Sequence, residues 1–184
     1  MSASLAARLL LIMAAVVASA VGSASPGVAA RLPSVEGQTL TEQPFRIPND
    51  LPASGSIVVV GFDRAHQAFI DNWAGGLGKA WPNLAVVRVA AIDPAPSFVR
   101  NVIQFGMRRE IPSGEARART VLVFTDVKAL ASAMRLPTGI QTPYALAIGT
   151  DGEVLAMATG PFSKEGAAPL LSAINAKFPT QVAK

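Results

Sequence analysis

The stretch "SIVVVGFDRAHQAFIDNW", residues 56–73, joins an unbroken apolar run to a polar break and then to an amphipathic segment. Ser56 to Phe62 is β-branched and shows no alternation, which predicts a strand covered on both faces. Asp63 is a good N-cap, and Ala65, Phe69 and Trp73 recur at helical spacing. The segment therefore predicts a strand, a cap and a helix, with "GGLG" at 75–78 stopping the helix. A covered strand feeding a helix is the building unit of an α/β sheet.

The same alternation continues towards the C-terminus. Leu84 to Ile92 predicts a second buried strand, and Phe98 to Met107 a helix with Val99, Val102 and Ile103 facing inward. Arg119 to Phe124 predicts a third strand, and Val127 to Met134 a short helix ended by Leu136-Pro137. Tyr144 to Ile148 and Val154 to Met157 flank "GTDGE", whose Asp151-Gly152 is a two-residue hairpin signal. Ser163 caps a last helix that runs to about Phe178. Towards the N-terminus, Val35 and Phe45 to Ile47 read as two short strands around the turn residues Glu36-Gly37, followed by the loop "NDLPASGS". The resulting class is α/β: a mixed central sheet with helices on both faces and a small N-terminal β-hairpin.

The first thirty residues have a different character. Arg8 ends a short n-region, and "LLLIMAAVVA" at 9–18 is an apolar block too short to cross a bilayer comfortably. Ala18-Ser19-Ala20 reads as a cleavage site and Val28-Ala29-Ala30 as a weaker one. Residues 1–20 are expected to be a secretory signal peptide, 21–30 a linker, and 31–184 one domain. Export to the periplasm follows, with an uncleaved signal anchor in the inner membrane as the alternative. The net charge of +4 falls to +3 once the leader's arginine is removed. Arg108-Arg109 is interrupted by Glu110, and no basic stripe interleaved with aromatics appears, so a nucleic-acid partner is not expected.

Thr142-Pro143 stands directly before a predicted strand, and "GIQTPYALAIGTDGEVLAMATG" at 139–160 runs through proline, apolar strand, Asp-Gly turn, strand and glycine. This order resembles the thioredoxin-like superfamily, including its peroxiredoxin-like members. The resemblance implies a thioredoxin-like fold over about Arg31 to Phe178 and a cis bond at Pro143. Within the superfamily, "VVVGFDRAHQAFIDNW", "FVRNVIQFGMRREIP" and "YALAIGTDGEVLAMATG" are similar to the mitochondrial ATP synthase assembly factor family and its bacterial relatives. That likeness implies an assembly or chaperone role toward a membrane subunit. A secretory leader would place the domain on the opposite side of the membrane from that family's site of action.

The chain contains no cysteine. Placing the strand end at Phe62 against thioredoxin-like strands sets Gln67 and Ile70 where the cysteines would stand. Disulfide exchange and peroxidatic thiol chemistry are excluded, since both need a thiolate. His66 is the sole histidine, too few for a histidine-rich metal site, and neither a metal nor a cofactor is expected. As a general base His66 would need a nucleophile and an orienting partner, and no G-x-S-x-G motif is present. Gly75, Gly76, Gly78 and Lys79 lack P-loop spacing.

What survives the loss of cysteine is recognition. In the thioredoxin-like fold, the backbone before the cis-proline is an exposed edge on which an extended peptide can pair. The nearby helix start favours negative charge. Arg64, His66, Gln67, Thr142 and Pro143 form the expected binding surface, and Trp81 is a candidate interaction residue. The expected function is binding of a protein or peptide partner, assisting a membrane complex such as ATP synthase. The alternatives are an oxidoreductase-derived enzyme using non-thiol chemistry at His66, or an accessory partner of a cysteine-bearing enzyme.

Overall fold

The computed structural model describes residues 30–52 and 55–179. The expected leader and both cleavage positions lie largely outside that range. No helix among the described residues is long and apolar enough to cross a membrane.

Seven strands form one sheet. The chain builds β1 (Val35–Thr39), β2 (Pro44–Ile47), β3 (Ser56–Gly61), β4 (Val86–Ile92), β5 (Thr120–Phe124), β6 (Tyr144–Ile148) and β7 (Val154–Ala158). Their spatial order is β2-β1-β5-β4-β3-β6-β7. Strands β3, β4 and β5 are parallel, while β1, β6 and β7 join antiparallel. All six residues of β3 are buried, as its continuous apolar run requires at the centre of a two-sided sheet.

Among the described residues, five α-helices cover the sheet: α1 (Gln67–Ala80), α2 (Ser97–Glu110), α3 (Gly114–Ala118), α4 (Val127–Ala133) and α5 (Lys164–Lys177). Ile57 and Val59 of β3 pack with Ile70, Trp73 and Leu77 of α1 and with Leu170 and Ile174 of α5. Val58 and Val60 point the other way, towards Val127, Leu130 and Ala131 of α4. Helices therefore lie on both faces, as expected. Farther along the α1 face, Met107 of α2 and Ala116 of α3 lie against Leu122 and Ile111.

Four local expectations are corrected. "GGLG" does not stop α1, which runs on to Ala80. Gly76 is needed there because a β-carbon at that position would lie 2.2 Å from the Phe162 ring. Glu36-Gly37 is not a turn but the middle of β1, and a β-carbon on Gly37 would sit 2.6 Å from the Leu122 carbonyl oxygen. Asp151-Gly152 does not make a two-residue type I′ turn, which needs positive φ at both central residues. Gly152 alone has φ +80, and a Gly152 N–H to Gly149 O bond of 3.0 Å closes the turn. Finally, Val102 faces solvent at 69% exposure rather than the core.

The caps behave as the residue types predict. Ser163 accepts from the Gly166 N–H at 2.9 Å and starts α5. Asp126 accepts from the Lys128 and Ala129 N–H groups at the start of α4.

Candidate functional site

The expected binding residues gather where β3 ends. Tyr144 faces Val60 across the antiparallel β3–β6 pair, so Thr142 and Pro143 precede β6 beside the segment that leaves β3. That segment is a 3-10 turn at Arg64–His66 leading straight into α1. Gly61 lets the turn fold back tightly, since a β-carbon there would lie 2.9 Å from both His66 Cβ and Ile70 Cδ1.

Each polar group at this end has a definable state. Asp63 caps the turn by accepting from the Ala65 N–H at 2.8 Å, so its carboxylate already occupies the position where the first-turn dipoles favour an anion. The sequence-based expectation that this turn would offer free donors to a ligand is thus only partly met. His66 Nδ1 accepts from the Phe62 N–H at 3.1 Å. That bond fixes the ring as a structural brace, with Nδ1 unprotonated. Among the described residues, no hydroxyl or carboxylate is hydrogen-bonded to His66. Gln67 donates to Asp71 at 3.2 Å. Ile70, at the second usual cysteine position, is buried.

Arg64 projects outward with 91% of its side chain exposed and meets Glu110 of α2 at 3.2 Å. Such a surface pair is worth about 0–1 kcal/mol, so the guanidinium exchanges readily onto another carboxylate.

The other half of the site is a loop knitted by hydroxyl groups. Tyr144 OH accepts from the Thr138 N–H at 2.9 Å and lies 2.5 Å from the Thr138 hydroxyl, which also contacts the Thr142 hydroxyl. Burial works against ionisation of Tyr144 and is the largest single influence. The hydrogen bonds from Thr138 and Thr142 together outweigh it, leaving the phenol below its ordinary value. With the Thr142 hydroxyl so engaged, its backbone is left over: among the described residues, neither its N–H nor its C=O forms a hydrogen bond.

Two expectations fail here. Pro143 is trans; the cis X–Pro bond among the described residues is Ile47–Pro48. The two isomers differ by only about 0.5–1 kcal/mol, so tertiary context decides and local sequence does not. Trp81 does not join the site. It follows the last residue of α1, a 14-residue helix about 21 Å long, and packs partly buried against the α1–α5 cluster. The signal passed over in the sequence was "TGIQTPY", where the Thr138 and Thr142 hydroxyls gather about Tyr144.

No group of three or more His, Cys, Asp or Glu side chains among the described residues is placed to hold a metal ion.

No protein-family profile matches this chain, and no curated protein matches it. Solved structures do. A putative electron transfer protein from Aquifex aeolicus superposes with a TM-score of 0.58 at 11% identity, covering 81% of this chain and 97% of that one. BsSco, a member of the Sco family of cytochrome c oxidase assembly proteins, gives 0.56 at 15% identity, covering 80% and 95%. A thiol:disulfide interchange protein of the thioredoxin family from Chlorobium tepidum gives 0.51 at 18% identity, covering 82% and 99%. The chain has a thioredoxin-like fold.

Proposed function

We propose that this protein binds an extended polypeptide across the junction of β3, β6 and the Arg64 turn, and that recognition replaces thiol chemistry as its use of the thioredoxin-like fold. The observation that carries this reading is the unpaired backbone of Thr142, at the same end of the β3–β6 pair as the exposed, weakly held Arg64 turn. An extended strand can hydrogen-bond to Thr142, and a carboxylate on it can displace Glu110 from Arg64. Engagement of His66 Nδ1 by the chain's own backbone argues against a general-base role for that ring.

For the partner we favour a subunit of a membrane complex, met after export. The signal-like first twenty residues and the resemblance to assembly factors support that choice. The BsSco neighbour belongs to a family of assembly proteins, which agrees in kind though not in target. The ATP synthase subunits remain our first candidates among such complexes.

Calorimetric titration with extended peptides bearing one acidic residue tests the site. Arg64→Glu should weaken binding by about tenfold or more, the worth of one charge-assisted hydrogen bond. Equal affinity in the wild type and Arg64→Glu, or loss in Trp81→Ala instead, would place binding elsewhere.

A further inference from the structure

Helix α2 half-buries Val99, Ile103 and Met107 and carries a second apolar face beside them. None of its residues is fully buried, yet Phe98, Val102 and Phe105 are 68%, 69% and 65% exposed. Their spacing of four and three residues aligns them in one outward stripe. The polar residues Ser97, Arg100, Asn101 and Gln104 border a groove of about 510 Å³ between α2 and strands β1 and β5, and the first three are themselves exposed. A contiguous apolar stripe that faces water marks a surface meant to be covered.

The charge around the stripe indicates by what. Residues 97–119 hold five arginines against two glutamates, which is three of the chain's four net positive charges. Both glutamates are occupied, Glu110 by Arg64 and Glu115 by Arg119. Arg109 extends the stripe by one helical turn, with its guanidinium 5.9 Å from the centre of the Phe105 ring. Among the described residues Arg100, Arg109 and Arg117 have no carboxylate partner. Two aromatic rings and a valine flanked by uncompensated arginine match the interfacial zone of an anionic bilayer, where rings enter the headgroup boundary and cations meet lipid phosphates. The stripe is too short for a stable protein dimer, whose interface needs some 800 Å² from each partner.

We propose that α2 docks this domain flat onto an anionic lipid surface through Phe98, Val102, Phe105 and Arg109. The site is independent of peptide binding at Thr142, although Arg64 and Glu110 link the two regions.

The cysteine-free sequence allows a position-specific test on the full chain. Residues 9–18 are apolar and can insert on their own, so total vesicle binding is not the readout. Val102→Cys and, on the opposite face of the sheet, Lys128→Cys are each spin-labelled and mixed with vesicles rich in phosphatidylglycerol or made of phosphatidylcholine alone. The label at 102 should become lipid-immersed on the anionic vesicles only, while the label at 128 stays in water. Adding Arg109→Glu should raise the lipid concentration needed for immersion by at least tenfold. A label at 102 that stays aqueous on anionic vesicles overturns the proposal, as does equal immersion on neutral ones. Protection of that label by an added acidic polypeptide, with no response to lipid, would reassign the face to a protein.

Discussion

Gly76 and Phe162 meet so closely that the glycine's missing side chain is part of the packing: a β-carbon there would fall 2.2 Å from Phe162 Cδ1 and 2.6 Å from Cγ. Phe162 is held in place because its ring stands edge-on to Trp73, 5.4 Å between centroids, and its N–H donates to Asn72 at 2.7 Å. Trp73 is itself fully buried and donates to the Gly160 carbonyl at 2.8 Å. These contacts bind the middle of α1 to the start of α5. Gly76→Ala should therefore cost about 1–3 kcal/mol, despite alanine's better helix propensity. Gly78 meets nothing within 4 Å, so Gly78→Ala should stabilise by about 0.5–1 kcal/mol. Thermal melts of the pair should move in opposite directions.

Tyr144 is the chain's sole tyrosine, so phenolate absorbance follows one group. Its midpoint should lie below 10.0 in the folded protein. Thr142→Val removes one of the hydrogen bonds that lower it and should move the midpoint upward. A midpoint at or above 10.0 in the wild type would show that the hydroxyl network does not form.

At the far end of the sheet, Asp151 bonds Arg31 at 3.1 Å and lies near Lys177, which also contacts Glu153. The Glu153 N–H is the main cause that holds the Asp151 carboxyl below its ordinary value, with Lys177 and Arg31 adding to it. A depressed acid contributes stability that is present above its unfolded pKa and is lost as pH falls through the folded one. Lys177 is raised, chiefly by Glu153, so its contribution is present below its ordinary value of 10.5 and is lost above it. Asp151→Asn should thus lower stability at neutral pH, and the two proteins should converge in acid below the carboxylate range.

His66→Ala would leave the Phe62 N–H without its partner. The cost should be on the order of 1–2 kcal/mol, a drop of some degrees in Tm. Peptide affinity should stay within about twofold of wild type, because the ring is a brace and not a contact. Loss of binding in a variant that remains folded would restore a direct role for the imidazole.

Much of this architecture was legible in the residues. The β-branched runs at 56–61 and 86–92 could only be covered strands, and Asp63 and Ser163 announced the Arg64 turn and α5 through cap chemistry. What failed were features set by distant partners. "GGLG" reads as a helix stop until Phe162, 86 residues beyond Gly76, is seen to need the space. Val102 reads as core until Val99, Ile103 and Met107 are seen to take the half-buried side of α2. The segment "SGEARA" hid α3, too short for periodicity to reveal, though Ser113 caps it by accepting from the Ala116 N–H. Of the candidate site, the Arg64 turn and Thr142 were legible because strand and proline bracket them. Trp81, read as a candidate interaction residue, follows α1 and is partly buried against the α1–α5 cluster.

The central claim is that Thr142 offers its free backbone to an extended chain. Amide chemical shifts of the isotope-labelled protein, followed during titration with an acidic extended peptide, test it most directly. Thr142, Tyr144 and residues 64–67 should shift together while Trp81 stays unmoved. Shifts confined to other surfaces, with Thr142 unchanged at saturation, would contradict it.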